Sequence, residues 1–244
     1  MRAILVSVDY ADLLAITLPY NRHHFKEIAV VTSLQDSETV KVAEENNAIV
    51  FRTNLFYEDG AVFNKWRALE YALDLYGREG WLCVMDADVL WPKTIPSFSK
   101  KIGNLYTPRR RMRPVVQPPI PKEEEWTKYH VHRNEVEFAG YSQIFHADDP
   151  VLGEPPWHEI NWTHAGGADS FFQQKWAPKN KIRPPFEVLH LGASGTNWLG
   201  RASELVDGTL PEGSIERQEQ LREYFRRRRR NHGGDRFKEE RINL

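Results

Sequence analysis

Asp86, Ala87 and Asp88 end an apolar run, Trp81-Leu82-Cys83-Val84-Met85. Two carboxylates two residues apart, in a turn after a strand, can share a hard divalent cation between themselves and a diphosphate, which suits Mg²⁺ or Mn²⁺. A solvated acidic turn has the same pattern, but the buried strand and the long helix before it favour a metal site. His190 follows a second apolar stretch and precedes Gly192 and Gly195. An imidazole there can complete a metal site built mostly of oxygen, and the glycines let backbone amides approach phosphate oxygens. The plain alternative is a structural histidine at a strand end. Asp169 follows Gly166-Gly167-Ala168 at the start of a helical pattern. Aspartate is a common helix cap, and it can also act as a general base toward an attacking hydroxyl.

These groups need a scaffold. Ala3 to Val8 and Glu27 to Thr32 are short β-branched runs of the kind buried on both faces of a sheet. Helical spacing fills Tyr10 to Tyr20, and a second helix runs from Ser37 to about Asn46 before a third strand at Ala48 to Phe51. This β-α-β-α-β order predicts an α/β fold with a Rossmann-like, mostly parallel central sheet flanked by helices. A helix over Phe63 to Tyr76, ended by Gly77, leads into a fourth strand at Trp81 to Met85. Ligands of such sheets bind beyond the carboxyl ends of the strands, where Asp86 and Asp88 fall.

Residues 92 to about 135 change character, with seven prolines between Pro92 and Pro121 and the basic run Arg109-Arg110-Arg111-Met112-Arg113. They read as loops and edge strands passing over the active face of one domain, 1–205. Ordered patterning returns with a strand near Tyr141 to Phe145, a helix from Asp169 to Trp176 and a strand near Phe186 to Leu189. Residues 206–244 read as a charged C-terminal extension, helical over 214–230 and ending in five arginines from Arg226, Arg227 and Arg228 onward.

The ordered set Asp-x-Asp after a strand, Ala139-Gly140-Tyr141 before a later strand, Gly-Gly-x-Asp opening a helix, and a late His190-Leu191-Gly192 loop with Trp198 resembles GT-A fold glycosyltransferases over roughly residues 3 to 200. The resemblance implies transfer of a sugar from a nucleotide-sugar, UDP-sugar favoured, with Asp86, Asp88 and His190 at a Mn²⁺ or Mg²⁺ ion and Asp169 as the base. Both stereochemical outcomes stay open, and the base at the helix start favours inversion. Ala168 stands where such motifs often carry Glu. The resemblance further implies base and ribose contacts from Val8, Asp9, Thr32, Ser33 and Asp36. Donor phosphate contacts would come from Asn64, Lys65 and Arg67, with Asp86, Gly192 and Gly195 also on the donor side.

The chain is 244 residues long, with 41% hydrophobic and 12% aromatic content, enough for an enzyme-sized core. Its 33 basic and 34 acidic side chains nearly cancel, so only local clusters could attract a polyanion. Arg109, Arg110, Arg111 and Arg113 form one such cluster and Arg226, Arg227 and Arg228 another; together with Gly140 they are the candidate acceptor contacts. Their plain explanation is a solvated face and a charged helix end. A compact transferase with two arginine clusters is similar to the stand-alone phage enzymes and base J glucosyltransferases that glycosylate 5-hydroxymethylpyrimidines in DNA. A surface glycan or lipid-linked precursor is the competing acceptor, and a non-catalytic nucleic-acid-binding protein the competing class. A sugar-phosphate nucleotidyltransferase would need a Gly-rich basic loop after the first strand, which Val8-Asp9-Tyr10-Ala11-Asp12 lacks, and an aspartyl phosphatase would need Thr where Leu90 stands. The lone Cys83, within an apolar run, reads as a core thiol in a cytoplasmic setting, the host cytoplasm if phage-encoded. No stretch is long and apolar enough for a signal peptide or membrane span.

Overall fold

The computed structural model describes residues 1–132, 138–193 and 195–231, with backbone alone over 228–231. Ten strands are described: β1 (Arg2–Val6), β2 (Glu27–Thr32), β3 (Ile49–Arg52), β4 (Trp81–Asp86), β5 (Val89–Leu90), β6 (Leu105–Tyr106), β7 (Arg109–Arg113), β8 (Ser142–His146), β9 (Lys181–Ile182) and β10 (Glu187–Leu191). Five α-helices accompany them: α1 (Ala11–Asn21), α2 (Ser37–Glu45), α3 (Lys65–Tyr76), α4 (Ala168–Phe172) and α5 (Ser214–Asn231).

Seven strands form the central sheet in the order β3-β2-β1-β4-β8-β6-β9. β3, β2, β1 and β4 are mutually parallel, β8 is antiparallel to both of its neighbours, and β9 runs parallel to β6. The expected α/β architecture with a mostly parallel sheet is therefore present, with β8 as the reversed strand. Side chains of a strand alternate between faces, so a strand covered on both sides must be apolar at every position. Ile4, Ala29, Val31, Leu82 and Val84 pack into one core with Trp66, Leu69 and Leu73 of α3 and Phe172 of α4. Ala3, Leu5, Ile28, Val30, Cys83 and Met85 pack into the other with Leu14 and Leu18 of α1 and Ala43 of α2. At about 1.5–3 kcal/mol for each large aliphatic side chain buried, this double layer is the main source of stability.

Three features differ from the sequence reading. Residues 92–135 read as loops and edge strands, yet β6 lies inside the central sheet between β8 and β9, where Leu105 and the Tyr106 ring are buried. The strand near Phe186 to Leu189 extends to Leu191 and joins a separate three-stranded sheet, β5-β10-β7, not the central one. The helix expected to run from Asp169 to Trp176 is α-helical only to Phe172 and then tightens to a 3₁₀ turn over Gln173–Lys175.

The charged helix α5 returns to the body. Arg217 Nε donates to the Arg201 carbonyl at 2.8 Å, Gln218 Nε2 to that of Ala202 at 2.7 Å, and Leu221 is buried. The Phe225 ring lies 5.1 Å from that of Trp198.

Candidate metal and donor site

The register of β1 against β4 places Val6 opposite Asp86, so the loop after β1 and the Asp86-Ala87-Asp88 turn open at the same sheet edge. The turn is clamped from α1: Thr17 Oγ1 donates to the Ala87 carbonyl at 2.6 Å, and Asn21 Nδ2 donates to that of Val89 at 2.7 Å. The strand β5, directly after Asp88, pairs antiparallel with β10 so that Val89 faces His190, and Leu191 N–H donates to the Asp88 carbonyl at 2.9 Å. That short pairing brings a histidine 102 residues beyond Asp88 to the acidic turn.

Asp86, Asp88 and His190 each present a ligand atom, and these atoms lie within 4.8 Å of one another. His190 Nε2 is 3.6 Å from Asp88 Oδ1. Asp88 Oδ1 and His190 Nδ1 are buried without a hydrogen-bond partner. A buried carboxylate oxygen with no donor is costly, and a cation would satisfy it. Two carboxylates and an imidazole make a suitable donor set for Mn²⁺ or Mg²⁺. Burial pushes the Asp88 carboxyl above the usual range; His190 opposes this and the neighbouring Asp86 reinforces it.

Lys65, the first residue of α3, reaches Asp86 Oδ1 with its ammonium at 3.0 Å. Burial works against that charge, but Asp86 and then Asp169 more than offset it and raise its pKa. Asp169 sits in the first turn of α4, its helix capped by Gly167 and not by itself. Its Oδ2 accepts the Gly140 N–H at 2.7 Å and its Oδ1 the Ser170 N–H at 2.9 Å. Gly140 has no room for a side chain: a Cβ there would stand 2.9 Å from Trp66 Cη2 and 3.0 Å from Asp169 Cβ. Asp86 N–H in turn donates to the Tyr141 carbonyl at 3.1 Å, so residues 140–141 tie the acidic turn to Asp169.

Of the residues expected along the donor, Asp9 is exposed in a left-handed conformation (φ 61°) and donates its N–H to Asp36 Oδ2 at 2.7 Å. Asp36 caps α2 through Thr39 N–H at 3.0 Å and accepts the Thr32 hydroxyl at 3.0 Å, so its oxygens are largely committed. Although its side chain is exposed, desolvation by the surrounding loop and then the Asp36 charge raise the Asp9 carboxyl. Val8, Thr32 and Ser33 are buried and offer mainly backbone. Asn64 is a framework residue, accepting the Arg67 N–H at 3.1 Å as the cap of α3 and donating to the Ile160 carbonyl at 2.6 Å. Arg67 pairs with Asp59 at 2.7 Å. Gly192, with φ at 87°, hydrogen-bonds through its N–H to the Arg113 carbonyl at 2.8 Å; Gly195 also has a positive φ, 75°.

The arginine run on β7 divides by strand parity. Arg111 pairs with Glu187 and donates to the Tyr129 carbonyl at 2.7 Å. Arg113 is buried and donates to the Gln117 and Pro119 carbonyls at 2.7 and 3.1 Å. Arg109 is exposed, and Arg110 lies over the Tyr141 ring at 4.5 Å. Arg226 and Arg227 are exposed and pair with Glu223. The side chains of Arg228 and the two arginines after it lie outside the described residues.

Several residues near the site carry no motif. Burial, then Asp88, lifts the Tyr10 phenol well above its ordinary value, so a neutral hydroxyl stands by the acidic turn. Arg201 is buried, holds Asp12 with both terminal nitrogens, and donates to the Asp9 carbonyl at 2.7 Å. Trp198 packs flat against Gly166, where a Cβ would come within 2.2 Å of its ring. Cys83 is fully buried, its thiol pushed up to about 12 by that burial, which fits a core thiol.

No protein-family model and no curated protein matches the chain. Among solved structures it is similar to mannosyl-3-phosphoglycerate synthase from Rubrobacter xylanophilus, with 13% identity, 98% of this chain and 76% of that chain covered, and a TM-score of 0.50. Glucosyl-3-phosphoglycerate synthase from Mycobacterium tuberculosis, in complex with Mn²⁺, UDP and glucosyl-3-phosphoglycerate, matches with 12% identity over 90% of this chain and 76% of that one, at a TM-score of 0.48. The inositol-1-phosphate CTP transferase from T. maritima matches with 12% identity over 91% and 96%, at 0.46. At such identity the likeness to the first structure is one of fold: a mostly parallel sheet with flanking helices, the GT-A architecture expected from the sequence.

Proposed function

We propose that the protein is a glycosyltransferase that uses Mn²⁺ or Mg²⁺ and a nucleotide-sugar, UDP-sugar first, to glycosylate an acceptor hydroxyl. The observation that carries this reading is the convergence of Asp86, Asp88 and His190 within 4.8 Å at the carboxyl end of the sheet. The fold shared with mannosyl-3-phosphoglycerate synthase fits it.

Asp86, Asp88 and His190 would hold the cation, which when bound neutralises charge developing on the departing diphosphate. Lys65 adds a positive charge at the same edge. Asp169, oriented by the Gly140 and Ser170 amides, takes the proton of the attacking hydroxyl. The hydroxyl oxygen bonds to the anomeric carbon, the bond from that carbon to the diphosphate oxygen breaks, and its electron pair leaves with the nucleoside diphosphate. Attack from the Asp169 side gives inversion. Asp9 and Asp36, which follow β1 and β2, would contact the nucleoside. A cytoplasmic setting agrees with the single buried thiol of Cys83.

A 5-hydroxymethylpyrimidine in DNA is the first acceptor to try, with surface glycans and lipid-linked precursors as alternatives. Arg111 and Arg113 are engaged within the protein and Arg226 and Arg227 pair with Glu223, which leaves Arg109 and Arg110 of the described arginines in the two clusters for a phosphate backbone. The test is release of nucleoside diphosphate from UDP-sugars with Mn²⁺, across these acceptors. Asp86→Ala and Asp88→Ala should each abolish it; full activity in either would overturn the assignment.

A further inference from the structure

We infer that Arg110, with His132 beside it, binds an anionic group of the acceptor, a phosphate or phosphodiester close to the hydroxyl that is glycosylated. The word acceptor rests on the transferase reading; the anion site itself does not.

Strand parity sets the arrangement. In the β10–β7 pair, Val188 faces Arg110 and His190 faces Met112. On the other side of β7 an antiparallel bridge joins Arg111 to Val131, and His132 N–H donates to the Arg110 carbonyl at 3.0 Å. Paired and alternate residues share a face, so Arg110, His132 and His190 all project from one side of this small sheet, while Arg111 and Arg113 project from the other. Diagonal neighbours on such a face lie roughly 7–8 Å apart, a span one phosphate group can bridge. Burial, then Arg110 and His190, holds the His132 imidazole down to about 4, as expected if the three groups are close.

Arg110 differs from its neighbours in the run. Its guanidinium is half-buried on the Tyr141 ring and has no carboxylate or carbonyl partner among the described residues. Planar guanidinium stacked on an aromatic face, with its edge donors unspent, is a suitable receptor for a phosphoryl group. Its place is also informative. The Tyr141 carbonyl accepts the Asp86 N–H and the preceding Gly140 donates to Asp169. An anion on Arg110 would therefore lie beside the residues that join the acidic turn to Asp169, where the attacking hydroxyl of the proposed reaction must come.

The test is a calorimetric titration of inorganic phosphate into the full chain without metal or donor. Wild type should bind; Arg110→Gln, which keeps much of the stem over Tyr141, should bind at least tenfold more weakly, and Lys41→Gln, on the exposed face of α2, should match wild type. Absence of binding in wild type, or equal affinity in Arg110→Gln confirmed as folded by its melting curve, would overturn the inference. Glycerol 3-phosphate and a single-stranded oligonucleotide carrying 5-hydroxymethylcytosine then serve as competing probes. Arg110-dependent displacement by glycerol 3-phosphate points to a small phosphorylated acceptor; displacement by the oligonucleotide alone points to a phosphodiester. Because the readout needs no turnover, loss of the transferase reading and loss of this one are separable.

Discussion

Replacing Gly140 by alanine probes the link between the acidic turn and the base. The added Cβ would stand 2.9 Å from Trp66 Cη2 and 3.0 Å from Asp169 Cβ. Carbon atoms settle at about 3.5–4.0 Å, so one neighbour must retreat by about half an ångström. Trp66 is fixed, its Nε1–H bonded to the Ala165 carbonyl at 2.9 Å and its ring stacked 5.1 Å from that of His158. The shift therefore falls largely on Asp169 and its 2.7 Å bond from Gly140 N–H. Overpacking of this kind costs about 1–3 kcal/mol, or roughly 2–12 °C in Tm for a chain of this size. A catalytic group misplaced by about 1 Å costs on the order of 10²-fold, so half that displacement should lower kcat about tenfold or more. Donor turnover would be followed with Mn²⁺ and UDP-sugar at saturating acceptor, and Mn²⁺ affinity by titration. The expected pattern is a depressed kcat with Mn²⁺ affinity within about twofold of wild type, since no ligand is touched. Wild-type kcat in a folded Gly140→Ala protein would refute both the tightness of this contact and the role of Asp169.

Mn²⁺ at about 100 times its Kd should stabilise the protein by roughly 2.7 kcal/mol, a Tm rise of about 5–11 °C. Asp88→Ala should abolish that rise in a thermal melt, and a persisting rise would place the ion elsewhere. Arg201→Ala strands Asp12 and removes the bond to the Asp9 carbonyl; breaking such a buried pair costs about 3–5 kcal/mol, read as a fall in the denaturant midpoint. Glu70 is buried, and although burial alone would raise its pKa, His158 and Arg78 hold it down to about 2 from an ordinary 4.5. Its lowered pKa contributes stability above pH about 4.5 that is lost as pH falls toward 2, roughly 3 kcal/mol in all. Denaturation between pH 6 and 2.5 should show wild type converging on Glu70→Gln as pH falls; a constant gap between them would exclude this linkage.

The parallel half of the sheet was legible because each of its strands is apolar at successive positions, a pattern that only double-sided burial requires. Asp86, Asp88, His190 and Asp169 were legible for another reason: each stands at the end of a strand or the start of a helix, where side chains leave the core. β6 was not, since Leu105 and Tyr106 make a two-residue strand amid prolines and no periodicity can register over so short a span. The roles of Arg111 and Arg113 were hidden because a run of like charges suggests a solvated face, while alternation along β7 sends those two guanidiniums to backbone carbonyls and Glu187. Arg201 and Asp12, separated by 189 residues, left no local trace at all.

Charge balance at the acidic turn narrows what the site is for. Asp86 is paired with Lys65 at 3.0 Å, whereas Asp88, more deeply buried, has His190 at 3.6 Å, beyond hydrogen-bond distance, and feels Lys65 only through space. Were the cluster a structural salt bridge, folding would favour a close, fully bonded pair, because an unpartnered buried carboxylate oxygen costs more than the pair returns. The protein instead keeps Asp88 Oδ1 and His190 Nδ1 without partners while spending Thr17, Asn21 and the β5–β10 pairing to hold the turn in place. Rigid support around an unsatisfied buried carboxylate oxygen is how a cation site is preorganised, since the framework bears the desolvation cost before the ion arrives. The same reasoning separates this cluster from Glu70 and His158, which are still more buried but close at 2.5 Å, and are therefore a structural pair and not a second site.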